Sequence, residues 1–204
     1  ILTIMLAYPL SKESTSFRMR TVYVWIFFFT MLFSGGLIPG YLLIQNLKMM
    51  DTIWALVLPA AVPVYNVILM LNFFRGIPEE IRESAVMDGA SEFKIFTSII
   101  LPLSMPVVST VGLWIAVGHW NSFYDTMLYT TDTNLWTLQY YLMKVIKESS
   151  GSFIAGMPAE MIGNISAETV SFAAIVISVI PILVVYPLIF KMLTKGVVIG
   201  SLKG

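Results

Sequence analysis

The sequence predicts an all-α protein, a polytopic bundle of membrane-spanning helices, and three observations carry that expectation. Hydrophobic residues make up 57% of the 204 and charged residues 12%, more apolar surface than one core of that size can hide from water. Asp, Glu, Lys and Arg are absent from residues 1–11, 21–47, 52–74, 95–124 and 169–190, and a helix needs roughly 20 apolar residues to cross about 30 Å of hydrocarbon. Prolines recur within or beside these runs, at Pro59, Pro63, Pro102, Pro106, Pro181 and Pro187, a pattern membrane bundles tolerate when neighbours satisfy the freed carbonyls.

Taken in order, the run 1–11 is too short to span. It begins on Ile-Leu-Thr-Ile with no positive charge before it, so it reads as the end of a span in an N-terminally truncated chain rather than as a signal peptide. Four complete spans are expected at about 21–43, 52–74, 99–120 and 169–190. A short outer connection follows the first, a polar loop at about 76–98 follows the second, and an outer segment at about 121–168, mixed polar and aromatic, follows the third. Pro59 and Pro63 mark a site where the second span can break or bend. With the 76–98 loop inside, nine basic residues (Lys12, Arg18, Arg20, Arg75, Arg82, Lys94, Lys191, Lys195 and Lys203) lie on the inner side against three (Lys48, Lys144 and Lys147) outside, as the positive-inside rule requires.

The 76–98 loop has helix-start chemistry. Pro78 suits a first helical position, and Glu79 and Glu80 complement the positive end of the helix dipole. Gly89 can take positive φ and end that helix, and Ser91 suits the N-cap of a second one. The product is a polar knob of two short helices at a glycine turn, shaped to dock on a protein.

Within it, Glu83-Ser84-Ala85, three residues, Gly89, nine residues, Ile99, one residue and Leu101-Pro102 resembles the Glu-Ala-Ala loop of bacterial ABC importer permeases, departing only at Ser84. The resemblance covers essentially the whole chain and implies one transmembrane permease domain, 1–204, of the binding-protein-dependent importer type in the bacterial cytoplasmic (inner) membrane. It implies a coupling helix that fits a groove on an ATP-binding subunit and converts that subunit's motion into helix movement. Glu83, Ser84, Ala85, Asp88, Gly89 and Ala90 would form it, with Glu83 as charged contact, Ala85 and Ala90 permitting close approach and Gly89 setting the turn. The partners implied are a second related permease, ATP-binding subunits carrying ATP and Mg, and an extracellular solute-binding protein.

Gly118-His119-Trp120-Asn121-Ser122-Phe123-Tyr124-Asp125 gathers aromatic rings, an amide, an imidazole and a carboxylate at the outer end of a span. Sugars present apolar faces and many hydroxyls, which such groups suit, although Trp and Tyr also populate interfacial belts. His119, Trp120, Asn121 and Tyr124, with Asn66 inside the second span, are the candidate substrate path. This segment, Phe33 to Pro39 and Lys195 to Gly204 are similar to the carbohydrate-uptake, maltose-type branch, nearest the subgroup for complex or acidic oligosaccharides. The alternatives are an amino-acid or peptide permease of the same class and an ion-coupled secondary transporter, the latter disfavoured by four spans without charged residues.

No catalytic chemistry of its own is expected. The chain has no Gly-x-x-x-x-Gly-Lys-Ser/Thr phosphate loop and no His-Glu-x-x-His pair, one histidine and no cysteine, so neither an ATPase site nor a cofactor or metal site is assigned to it. Its net charge of zero gives no reason to invoke nucleic acid.

Overall fold

The computed structural model describes residues 1–12, 18–149 and 167–200. Among these every regular element is helical: α1 (Leu2–Ser11), α2 (Arg20–Leu32), α3 (Leu37–Asn46), α4 (Ile53–Val57), α5 (Val64–Arg75), α6 (Glu79–Met87), α7 (Glu92–Ile95), α8 (Leu101–Leu103), α9 (Met105–Trp120), α10 (Tyr124–Tyr129), α11 (Leu138–Ser149) and α12 (Ala167–Gly200). Part of the outer segment, 150–166, and the last four residues of the 195–204 motif lie outside the described residues.

Three of the four expected spans are interrupted, each for a backbone reason. The 21–43 run breaks at residues 33–36, where Gly36 takes φ +86°, a conformation that costs other L-residues about 1–2 kcal/mol. The 52–74 run breaks at residues 58–63, and Pro63 stands as N-cap of α5, as its missing N–H favours. The 99–120 run passes through a π-turn, Phe96–Ile100, in which Leu101 N–H reaches back to the Phe96 carbonyl. It then bends by 79° at Ser104, between Pro102 and Pro106, neither of which can donate to the helical ladder. Only 169–190 lies in one continuous helix, α12, despite Pro181 and Pro187. Among the described residues no single helix is long and apolar enough to cross a membrane, while α2 with α3, and residues 92–103 with α9, reach that length and composition in pairs.

The chain divides into two compact units. In the first (Ile1–Gly36, Leu58–Trp114, Ile189–Gly204) α1 packs along α5, and α2 touches both. Ala7, with no exposed surface, permits that close approach, and Val67, Met70, Leu71 and Phe74 fill the α5 side. Tyr8 meets Phe74 edge-on at 6.0 Å and Phe96 at 4.7 Å. The second unit (Leu37–Val57, Ile115–Leu188) is built on Ile44, Ala55 and Tyr129, with Tyr41 stacked on Tyr129 at 6.3 Å. Asp51, at φ +55°, ties its loops together: its carboxylate accepts from Thr131 N–H and Oγ1 and, at 3.0 Å, from Asp132 N–H. These bonds, the Thr131 N–H first, hold the Asp51 carboxyl below its usual pKa.

Apolar side chains cover the outside as well. No residue of α2 is buried, and Trp25, Phe29, Phe172 and Leu183 are each more than half exposed. Helices apolar all round call for a non-aqueous or protein environment.

Met70 is fully buried and Met87 is 86% exposed. Met70→Ala is expected to destabilise the purified protein by about 2–5 kcal/mol and Met87→Ala by less than about 0.5 kcal/mol, read as shifts in the thermal unfolding midpoint. Equal shifts would contradict this packing.

Candidate functional site: the loop between α5 and α8

Gly76 ends α5, its N–H reaching the Asn72 and Phe73 carbonyls at 3.2 and 3.0 Å. Pro78 is the N-cap of α6, one place before the first helical position expected for it, and Glu79 and Glu80 form the first turn at the positive dipole end. The far end of α6 closes on a Schellman turn. Asp88 is the C-cap, Gly89 takes φ +75°, Gly89 N–H donates to the Val86 carbonyl at 2.9 Å and Ala90 N–H to that of Ala85 at 3.0 Å. A Cβ at Gly89 would meet nothing within 4 Å, so φ rather than space demands glycine. The Ser91 hydroxyl then caps α7 by accepting from Lys94 N–H. Gly89 and Ser91 thus hold the places read from the sequence.

Side chains divide the knob in two. Ala85 is buried, so its small size serves the approach of α6 to its own unit. Glu83, Ser84 and Asp88 are exposed and Ala90 is half-buried, while Ser84 Oγ donates to the Ile81 carbonyl at 3.0 Å. Beside Gly89 stand Met87 and Phe93, 86% and 75% exposed, an apolar tip on a polar body.

What anchors this knob is an ionic network centred on Glu92. Its carboxylate meets Lys12 Nζ at 2.8 Å and Arg82 Nη1 at 2.8 Å, and accepts from Tyr8 Oη at 3.2 Å. Arg82 also bonds Glu79 at 2.6 Å. One carboxylate therefore links α1, α6 and α7. The Lys12 ammonium, by hydrogen bond and then by charge, holds the Glu92 carboxyl below the usual carboxylate range, against partial burial that raises it. Sequence reasoning missed Glu92 and Arg82 as a pair. The Glu79–Arg82 contact is legible from its i,i+3 spacing, but Lys12 and Glu92 are far apart in sequence.

The outer candidates fall in the second unit. The Trp120 indole N–H donates to the Ser178 carbonyl at 3.1 Å, tying the end of α9 to α12. Asn121 Nδ2 donates to the Val117 carbonyl at 3.0 Å, closing the C-terminus of α9. His119 is exposed. Tyr124, 47% exposed, opens α10 with Phe123 edge-on at 6.4 Å. A cavity of about 350 Å³ lies beside them, lined by Phe123, Gln139, Met143, Lys147 and Ile175 among others, and none of His119, Trp120, Asn121 and Tyr124 lines it. Asn66 belongs to the first unit, buried on α5. Its neighbour Tyr65 stacks on Trp114 at 6.3 Å, both rings about half exposed, an aromatic pair that no local motif announces. Among the described residues no group of three His, Asp or Glu side chains is placed to hold a metal.

Two outcomes follow for the knob. Gly89→Val is expected to loosen it by about 1–2 kcal/mol, read as faster amide exchange over 79–95, with no such change over α10. Because the Glu92 pKa is lower folded than unfolded, its contribution is present above the unfolded value near 4.3 and fades as pH falls through the folded one. Protection over 79–95, measured relative to the intrinsic exchange rate at each pH, should therefore fall in acid in the wild type and fall less in Glu92→Gln.

Comparison with known proteins places this architecture. A family described as "Binding-protein-dependent transport system inner membrane component" matches residues 14–199. The polygalacturonan/rhamnogalacturonan transport system permease protein YtcP of Bacillus subtilis (strain 168) is 40% identical over the whole chain and 70% of its own length. Protein LplC of the same organism is 43% identical over 99% of the chain and 68% of its own. A crystal structure of a bacterial ABC transporter involved in the import of the acidic polysaccharide alginate superposes at TM-score 0.80 and 33% identity, over 94% of this chain and 69% of that one. The chain belongs to the family of inner membrane components of binding-protein-dependent transport systems.

Proposed function

We propose that the 204 residues act as one permease domain in an ATP-driven importer that carries oligosaccharides or polysaccharide fragments into the cytoplasm. The observation that carries this reading is the Gly89 knob: a rigid, polar, helix–turn–helix projection with an apolar tip, held to α1 by Glu92. Such a projection is suited to a groove on an ATP-binding subunit, with Met87 and Phe93 entering and Glu83 meeting a basic rim. The related permease and the alginate importer, each named for a polysaccharide, support the substrate class.

In this reading a second permease of related fold completes the translocation path, and an extracellular binding protein delivers the sugar. Paired ATP-binding subunits bind ATP and Mg; this chain binds neither and does no chemistry. Closure of those subunits pulls the knob, and the knob moves α1 and α5 through Lys12, Tyr8 and Arg82. The residues assigned to the sugar path are His119, Trp120, Asn121 and Tyr124, and Asn66 on α5. Trp120 and Asn121 spend their N–H groups within the chain, so they offer a ring face and a carbonyl oxygen, while Tyr124 keeps ring and hydroxyl.

In the reconstituted complex, sugar-loaded binding protein should raise ATP hydrolysis several-fold. Glu83→Lys should abolish uptake and weaken ATPase association, whereas Tyr124→Ala should lower uptake and leave association intact. Uptake that survives ATP depletion and collapses with an ion gradient would refute the proposal.

A further inference from the structure

We propose that the first unit holds a phosphate-anion site, formed by Arg20 and Arg75 in the cavity between α1, α5 and the knob, which takes the headgroup of an anionic phospholipid. It rests on the membrane-permease reading only in placing this cavity at the cytoplasmic surface.

The cavity is about 610 Å³, and among the described residues its charged lining is Lys12, Arg20, Arg75, Arg82, Glu79 and Glu80. Most of these charges are accounted for. Arg82 pairs with Glu79 and Glu92, Lys12 pairs with Glu92, and Glu80 is exposed. Arg20 and Arg75 are different. Among the described residues neither has a carboxylate partner; each reaches only a backbone carbonyl, Arg20 that of Lys12 and Arg75 that of Leu10 at 3.5 Å. Their like charges repel, and Arg20 Nε is buried with no hydrogen-bond partner among the described residues. Arg20 is also the first residue of a 13-residue helix whose N-cap, Met19, offers no side-chain acceptor, so a guanidinium and the positive end of a helix dipole coincide. Two guanidiniums lining one cavity, one of them at a helix N-terminus, suit a cluster of phosphate oxygens.

The position favours lipid. Lys12 follows α1, Arg20 opens α2 and Arg75 closes α5, so three apolar helices end in cations around one cavity. Basic pockets at the cytoplasmic ends of membrane helices are where anionic headgroups bind.

The test uses the purified complete transporter, with Arg20→Gln/Arg75→Gln as variant and Arg18→Gln, a cation outside the cavity lining, as control. Native mass spectrometry with phosphatidylglycerol, phosphatidylcholine or inorganic phosphate reads occupancy. Phosphatidylglycerol should be retained over phosphatidylcholine, and the double variant should weaken it roughly 30-fold, about 1 kcal/mol per basic residue removed, with Arg18→Gln near wild type. If inorganic phosphate competes at millimolar concentration, the site takes the free anion equally. Should the double variant not assemble, Arg75→Gln alone should lose roughly 5-fold. Wild type that retains neither probe, or variants that retain lipid unchanged, overturns the site. So does protection of these arginines from a dicarbonyl reagent by the ATPase subunits alone, which would assign the cavity to a protein partner. Binding-protein-stimulated ATP hydrolysis, measured on the same samples, reports separately on the importer reading.

Discussion

The carboxylate of Glu92 is the constraint on which the geometry of the Gly89 knob depends. In a chain with so few charges, three others and a tyrosine hydroxyl gather there: Lys12 and Tyr8 from the end of α1, Arg82 from α6, and Glu79 behind Arg82. The Glu92 side chain is 52% exposed, so each contact contributes only about 0–1 kcal/mol. The network therefore matters for position more than for stability. It fixes two short helices, neither stable alone, so that the Gly89 turn and the side chains of Met87 and Phe93 project at a set angle from α1. A partner that pushes on the turn then pushes on α1 and, through its packing against Ala7 and Met70, on α5.

The broken helices belong to the same account. Breaks at 33–36 and 58–63 leave backbone amides at the starts of α3 and α5 without helical partners. Hydrocarbon cannot satisfy them, and irregular backbone at membrane depth is tolerated only against protein or a water-filled cavity. The unburied apolar surface of α2 likewise calls for lipid or a protein neighbour.

Local chemistry made the knob legible. Gly89 sits where only positive φ closes the turn, and Ser91 three residues before Lys94 is an N-cap by its hydroxyl alone. The bundle as a whole was legible from charge-free runs, and Pro59 with Pro63 marked the break at 58–63, but the break at 33–36 was not legible, because a run of uncharged residues looks the same whether one helix or two traverse it. Proline was an incomplete guide: Pro63 starts a helix and Pro102 with Pro106 flanks a bend, yet Pro181 and Pro187 lie within unbroken α12. The Lys12–Glu92 and Trp120–Ser178 contacts join residues far apart in sequence, and no spacing rule reaches them. Trp120 shows the consequence most plainly: named from the sequence only as part of a candidate substrate path, it has its indole N–H held by the Ser178 carbonyl.

The central claim, that the Gly89 knob seats on an ATP-binding subunit, is tested most directly by cross-linking. The protein contains no cysteine, so Met87→Cys supplies a unique thiol at the tip and Lys48→Cys one in the connection that the sequence reading assigns to the outer side. In the assembled transporter, a short thiol-to-amine cross-linker should join Met87→Cys, and not Lys48→Cys, to the ATPase, with a yield that changes when ATP is bound. A transport-competent complex in which Met87→Cys and Phe93→Cys both fail to cross-link would contradict the account.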